Sequence, residues 1–190
     1  MKGHDVIVQV PSGIGSALTY VISILQRLDM SVKATQALIL VPSRELAQKI
    51  QQVVLSLGNY MNVKCYACVG GTKGREDMAK FNLQQGLHIV IGTPDRVLEM
   101  INIRAIRTEN IKILCHDDAD QMWSRGFKDH IYQVFQALPH YTQVVLLSAT
   151  MPENVLEVTK KFMRDPVRIV VNGDESIFES QVSLRKRLTF

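Results

Sequence analysis

Short β-branched runs separated by helical patterns recur from one end of this chain to the other, and that alternation leaves few folds open. The runs stand at Val6 to Val10, Ala37 to Val41, Val63 to Val69, His88 to Ile91, Ile111 to Cys115, Val144 to Leu147 and Val167 to Val171. Helical patterns lie between them near 13 to 28, 44 to 57, 74 to 84, 95 to 102, 127 to 138 and 153 to 163. A crossover helix between strands is the connection a parallel sheet needs. The alternation therefore predicts a three-layer α/β domain, with a mainly parallel sheet and helices on both faces. The 190 residues suffice for one such core. Residues 1–171 read as that domain and 172–190 as a short divergent tail, its Arg185-Lys186-Arg187 a solvated run with weak attraction for polyanions.

Composition excludes more than it selects. No apolar run approaches the ~18 residues of a membrane span, and the start Met1-Lys2-Gly3-His4-Asp5 lacks a signal-peptide core. The expectation is a monomeric intracellular protein with no membrane partner, in the cytoplasm or, as the alternative, the nucleus. A net charge of +4 mildly favours an anionic partner and carries little weight. Cys65 and Cys68 form a C-x-x-C within a strand-like run. Odd spacing on a strand sends the two side chains to opposite faces, so core cysteines are the reading, not a metal or redox pair.

In open α/β sheets, ligands bind beyond the carboxyl ends of the strands, and the polar and glycine-rich turns of this chain fall there. The first, Pro11-Ser12-Gly13-Ile14-Gly15, joins a strand to an apolar helix opened by Ser16 and Ala17. Strand, glycine turn and helix form the frame of a phosphate loop. Such a loop normally closes on Lys, which reaches phosphate, and on Ser or Thr, whose hydroxyl holds Mg²⁺. Ser16 and Ala17 stand at those two places, so the frame reads either as a weak phosphate site or as an ordinary strand–turn–helix. Backbone N–H groups around Gly13 and Gly15 can still hold phosphate. Thr19 is a poor stand-in for the lost hydroxyl, because two residues along a helix is about 200° around its axis.

Further turns follow in order: Pro42-Ser43-Arg44-Glu45-Leu46-Ala47-Gln48, Gly70-Gly71, Thr93-Pro94-Asp95-Arg96, Asp117-Asp118-Ala119-Asp120 and Ser148-Ala149-Thr150. These motifs, in this order, resemble the first RecA-like domain of DEAD-box RNA helicases. The runs Ser124 to Asp129 and Gln143 to Asp165 look closest to the translation initiation factor 4A branch of that family. The resemblance covers about residues 3 to 171. It implies ATP and Mg²⁺ as cofactors, RNA as partner, and a translation initiation scaffold protein as a further partner.

The resemblance also implies roles. Ser12, Gly13, Gly15, Ser16 and Ala17 match the nucleotide-binding loop. Asp117 matches the carboxylate that holds Mg²⁺ through water. Asp118 stands where the family has the Glu that orients the attacking water. It is shorter by one methylene, and a misplacement near 1 Å can cost about 10²-fold in rate. Asp120, Ser148 and Thr150 match the tie that couples the nucleotide and RNA sites. Pro42, Arg44, Gly70, Gly71, Thr93 and Arg96 match the RNA grip. Arg44 at a helix start suits a phosphate, with plain surface charge as the rival. Thr93 can cap a helix that Pro94 begins. Arg96 either contacts phosphate or pairs with an acid, and Asp95 adds a negative charge where the family has Gly. His116 beside the acidic run suggests a metal cluster, but consecutive strand residues cannot all converge.

The resemblance further implies an upstream adenine-reading segment and a second RecA-like domain carrying arginine fingers. Neither is expected here. The expectation is a helicase-like domain that binds RNA weakly and lacks independent ATPase and helicase activity. The alternatives are a weak ATPase completed by a partner in trans, a non-enzymatic module on the translation scaffold, and a remnant without a selected role.

Overall fold

The computed structural model describes residues 3–11, 14–69 and 86–171. Seven strands run through them: β1 (Val6–Gln9), β2 (Ala37–Leu40), β3 (Cys65–Cys68), β4 (Ile89–Gly92), β5 (Ile113–His116), β6 (Gln143–Ser148) and β7 (Val167–Val170). The helices among the described residues are α1 (Ile14–Leu25), α2 (Arg44–Leu57), α3 (Pro94–Asn102), α4 (Ala119–Ser124), α5 (Lys128–Ala137) and α6 (Glu153–Phe162). The strands form one sheet in the order β3-β4-β2-β5-β6-β1-β7, and every pairing is parallel. The helix expected over 74 to 84 and the tail 172–190 lie outside the described residues.

Alternation along each strand divides the core into two layers. Ala37, Ile39, Ile113 and Cys115 pack with Ala17, Tyr20, Val21 and Ile24 of α1 and with Ala47, Ile50 and Val54 of α2. Leu38, Leu40 and Leu114 pack on the other face with Val97, Met122, Ile131, Val134, Val155 and Val158 of α3 to α6. The interior strand β2 is fully buried on both faces, as helices on either side require. Each large aliphatic side chain buried this way stabilises by roughly 1.5–3 kcal/mol. Cys65 and Cys68 fall into opposite layers, as their spacing predicts.

Two features escape the sequence patterns. Asp117 to Asp120 is not an extended run: β5 ends at His116, Asp118 takes a left-handed conformation (φ 52°), and α4 begins at Ala119. Asp5 is buried, and its carboxylate accepts the N–H groups of Val144 (2.8 Å) and Arg164 (2.6 Å). Its carbonyl accepts the Val167 N–H at 2.8 Å. This one residue holds the start of β1 between the starts of β6 and β7.

Candidate functional site

The strand order separates the motifs into two neighbouring halves of one surface. The strands β5, β6 and β1 are contiguous, and their carboxyl ends carry Asp117 to Asp120, Ser148 to Thr150 and the turn into α1. The strands β3, β4 and β2 are also contiguous. Past β4 stand Thr93 to Arg96, and past β2 stand Pro42 to Arg44. Ser12 and Gly13 of the first half, and Gly70 and Gly71 of the second, lie outside the described residues.

In the first half, α1 points its inner face at the sheet through Ala17, Tyr20, Val21 and Ile24. Ala17 is buried and offers only a methyl group. Thr19 is exposed, and its hydroxyl is committed to the Gly15 carbonyl at 3.1 Å, one turn back. Tyr20 reaches across to β5: its hydroxyl donates to Asp117 Oδ2 at 2.8 Å, a buried hydrogen bond between residues 97 apart in sequence. Asp117 Oδ1 accepts the Asp118 N–H at 3.1 Å. Burial raises the Asp117 carboxyl to about 6, with the Tyr20 hydrogen bond pulling the other way. Burial, then the neighbouring Asp117 charge, pushes the Tyr20 phenol well above its ordinary range. A buried tyrosine hydroxyl must find a polar partner, and Asp117 is that partner.

Three hydrogen bonds join Asp120 to the end of β6 and the turn beyond it. Thr150 donates to Asp120 Oδ2 through both its N–H (3.0 Å) and its hydroxyl (2.6 Å). The Asp120 N–H donates to Ser148 Oγ at 3.1 Å. Partial burial raises the Asp120 carboxyl, but the hydrogen bonds from Thr150, Ser148 and Gln121 outweigh it and hold the group below its ordinary value. Val10 N–H donates to the Ser148 carbonyl at 3.1 Å, fastening the turn out of β1 to the same motif.

In the second half, Ser43 caps α2 by accepting the Leu46 N–H at 3.2 Å. The cap sets Arg44 as the first helical residue, exposed at the positive end of the helix. Pro42 is buried, and its carbonyl accepts Arg125 Nη1 at 2.8 Å. The run after α4 thereby braces the turn that presents Arg44. Gly92, which ends β4, allows the close packing there: a Cβ on it would lie 2.4 Å from the Cys68 carbonyl oxygen. Thr93 occupies the N-cap of α3 with Pro94 behind it, but its hydroxyl makes no capping hydrogen bond. Arg96 is buried, and its guanidinium pairs with Glu99 one turn along.

His116 faces away from this surface. Asp117 follows β5 directly, its N–H still donating to the Leu40 carbonyl at 3.0 Å, and successive side chains there point to opposite faces: Asp117 meets Tyr20 while His116 lies against Trp123 and Phe135, at ring-centroid distances of 5.6 and 6.3 Å. The His116 side chain is fully buried, and among the described residues neither ring nitrogen has a hydrogen-bond partner. Burial depresses its pKa to about 3, so it is neutral. Among the described residues no His, Cys, Asp and Glu group is placed to hold a metal ion.

Comparison with known proteins places this arrangement. A profile described as "DEAD/DEAH box helicase" matches residues 1–158. A protein of Mycosarcoma maydis named ATP-dependent RNA helicase eIF4A is 62% identical over 179 residues, covering 94% of this chain and 43% of the relative. Its namesake in Aspergillus fumigatus is 58% identical over 179 residues, with 94% and 44% covered. The crystal structure of a DEAD box protein from the hyperthermophile Methanococcus jannaschii superposes with a TM-score of 0.83 at 29% identity, covering 88% of this chain and 45% of that one. The chain thus spans under half the length of the curated relatives it matches.

Proposed function

The chain belongs to the DEAD/DEAH box helicase family, and from that premise we propose that it is an initiation-factor-4A-like domain that grips RNA backbone weakly and does not turn over ATP by itself. The observation that carries this reading is the uneven state of the two halves. The RNA half keeps a capped, braced helix start that presents Arg44. The nucleotide half offers Ser16 in place of a cation and the buried methyl of Ala17 in place of a hydroxyl.

The donor set does not fit a magnesium-bound triphosphate. A hydrogen bond to a charged group is worth about 1.5–3 kcal/mol, so a neutral Ser16 concedes about ten-fold or more in phosphate affinity. Thr19 is turned onto Gly15 and does not replace the missing hydroxyl. Asp117 is buried, and each of its oxygens already accepts a protein donor. Asp118 extends less far than the Glu of the family. No hydrolytic step is assigned to these residues.

The RNA reading follows from charge placement. An exposed guanidinium at a helix N-terminus holds a phosphate oxygen by charge and by directed N–H groups. Such contacts position the strand without reading its bases. As part of the same reading, the protein is a monomer of the cytoplasm or, as the alternative, the nucleus, and it sits beside a translation scaffold protein. Co-purification of that scaffold, unchanged by added nucleotide, tests the partner.

Fluorescence anisotropy with single-stranded RNA and a parallel phosphate-release assay test the main reading. Binding at about 50 mM salt that falls steeply by about 200 mM is the expected result, with no RNA-stimulated release. RNA-stimulated release that is lost in Asp118→Asn would favour a weak ATPase instead.

A further inference from the structure

We propose that the Tyr20 hydroxyl is the resident occupant of the cation place beside Asp117, so that the nucleotide half is closed from within as well as stripped at its loop. This inference rests on the reading of that half as degenerate. Ala17, Tyr20, Val21 and Ile24 share the inward face of α1, spaced so that they stack on one side of the helix. Tyr20 is 3% exposed and Asp117 5% exposed, so the hydrogen bond between them is sealed from solvent.

Magnesium binding makes demands this corner does not meet. The ion takes near-octahedral oxygen ligands at about 2.0–2.1 Å and gives up its waters reluctantly. A carboxylate serving it must face a space large enough for that hydration shell. Asp117 instead directs Oδ2 at the tyrosine hydroxyl and Oδ1 at the Asp118 N–H. The phenol is a neutral donor, and with that N–H it gives each carboxylate oxygen one partner without an ion, leaving a second lone pair on each. Restoring the loop residues alone therefore leaves the Tyr20 hydroxyl competing with a hydrated ion for Asp117. Tyr20 acts through Asp117, as a residue that decides which donor Asp117 accepts.

The test compares ADP binding by calorimetry, with and without Mg²⁺, in four proteins: the wild-type chain, Tyr20→Phe, the pair Ser16→Lys with Ala17→Thr, and the triple variant. The wild-type chain and Tyr20→Phe are expected to bind neither form. The loop-restored pair binds ADP with an affinity that Mg²⁺ barely changes. The triple variant gains about ten-fold or more on adding Mg²⁺. An equal Mg²⁺ effect in the pair and the triple overturns this inference alone, as does a triple variant without one. Tight Mg²⁺-dependent binding by the wild-type chain overturns both the inference and the reading beneath it. A second measurement needs no variant. The protected hydroxyl proton of Tyr20 in the wild-type NMR spectrum persists in millimolar Mg²⁺ if the inference holds, and its loss on adding the ion contradicts it.

Discussion

Tyr20 on α1 donates its hydroxyl proton to Asp117 at the end of β5, across 2.8 Å, in a part of the core that solvent does not reach. The helix after the glycine turn and the acidic run after β5 are thereby joined through two residues 97 apart in sequence.

The Asp117 carboxyl gives the first prediction. Burial raises it to about 6 in the fold from an ordinary 3.8, so the native chain holds its proton more tightly than the unfolded chain does. Its contribution is fully present below about pH 4 and is lost as pH rises through about 6. Asp117→Asn keeps an oxygen for Tyr20 and removes the charge. It is expected to be the more stable protein at about pH 8, by up to about 3 kcal/mol, and to match wild type near pH 4. Urea unfolding of both proteins across that range checks it, and a constant difference between them would contradict it.

His116 gives a second prediction, of opposite sense. Its pKa is depressed from 6.5 to about 3 by burial, so the unfolded chain takes up a proton before the folded one does. Its contribution to stability is whole above about pH 6.5 and is lost as pH falls toward 3. Both ring nitrogens are buried without a hydrogen bond among the described residues, which costs about 1–3 kcal/mol per unmet group. His116→Leu is expected to raise Tm at neutral pH and to flatten the acid limb of the stability curve. A lower Tm at neutral pH would mean that the ring has a polar partner.

These two residues also mark how far the sequence could be read. Period-two alternation was legible: it sent Cys65 and Cys68 to opposite layers and kept His116 from converging with Asp117. The strand ends came out close to their observed positions because β-branched runs bounded by Gly, Pro or Asp have few other uses. The turn of α4 was not legible. It has six residues, too few to show a helical period, and it opens on a left-handed Asp118 that no local pattern required. The partner of Tyr20 was half legible. A hydroxyl three residues after Ala17 lies on the buried face and needs an acceptor, but only the tertiary fold supplies its identity. Arg96 was a choice between phosphate and acid, and Glu99 at helical spacing was the available signal.

The two arginines separate by experiment. Arg44 is exposed at the start of α2, whereas Arg96 is 5% exposed and engaged with Glu99. Arg44→Ala is expected to weaken RNA binding about ten-fold at low salt and to reduce the salt slope by about one, with Tm nearly unchanged. Arg96→Ala is expected to lower Tm, because the change removes a buried stem as well as a charge, and to weaken RNA binding in proportion to the folded protein lost. Anisotropy and thermal melts on both variants check this. A salt-slope change in Arg96→Ala with an unchanged Tm would reverse the assignment.

The most direct test of a degenerate nucleotide half is calorimetric titration of the wild-type chain with ATP in the presence of Mg²⁺. No saturable heat below millimolar ATP is the predicted result. A micromolar Kd that depends on Mg²⁺ would show that Ser16, Ala17 and the Tyr20–Asp117 pair still make a working site, and would contradict the account.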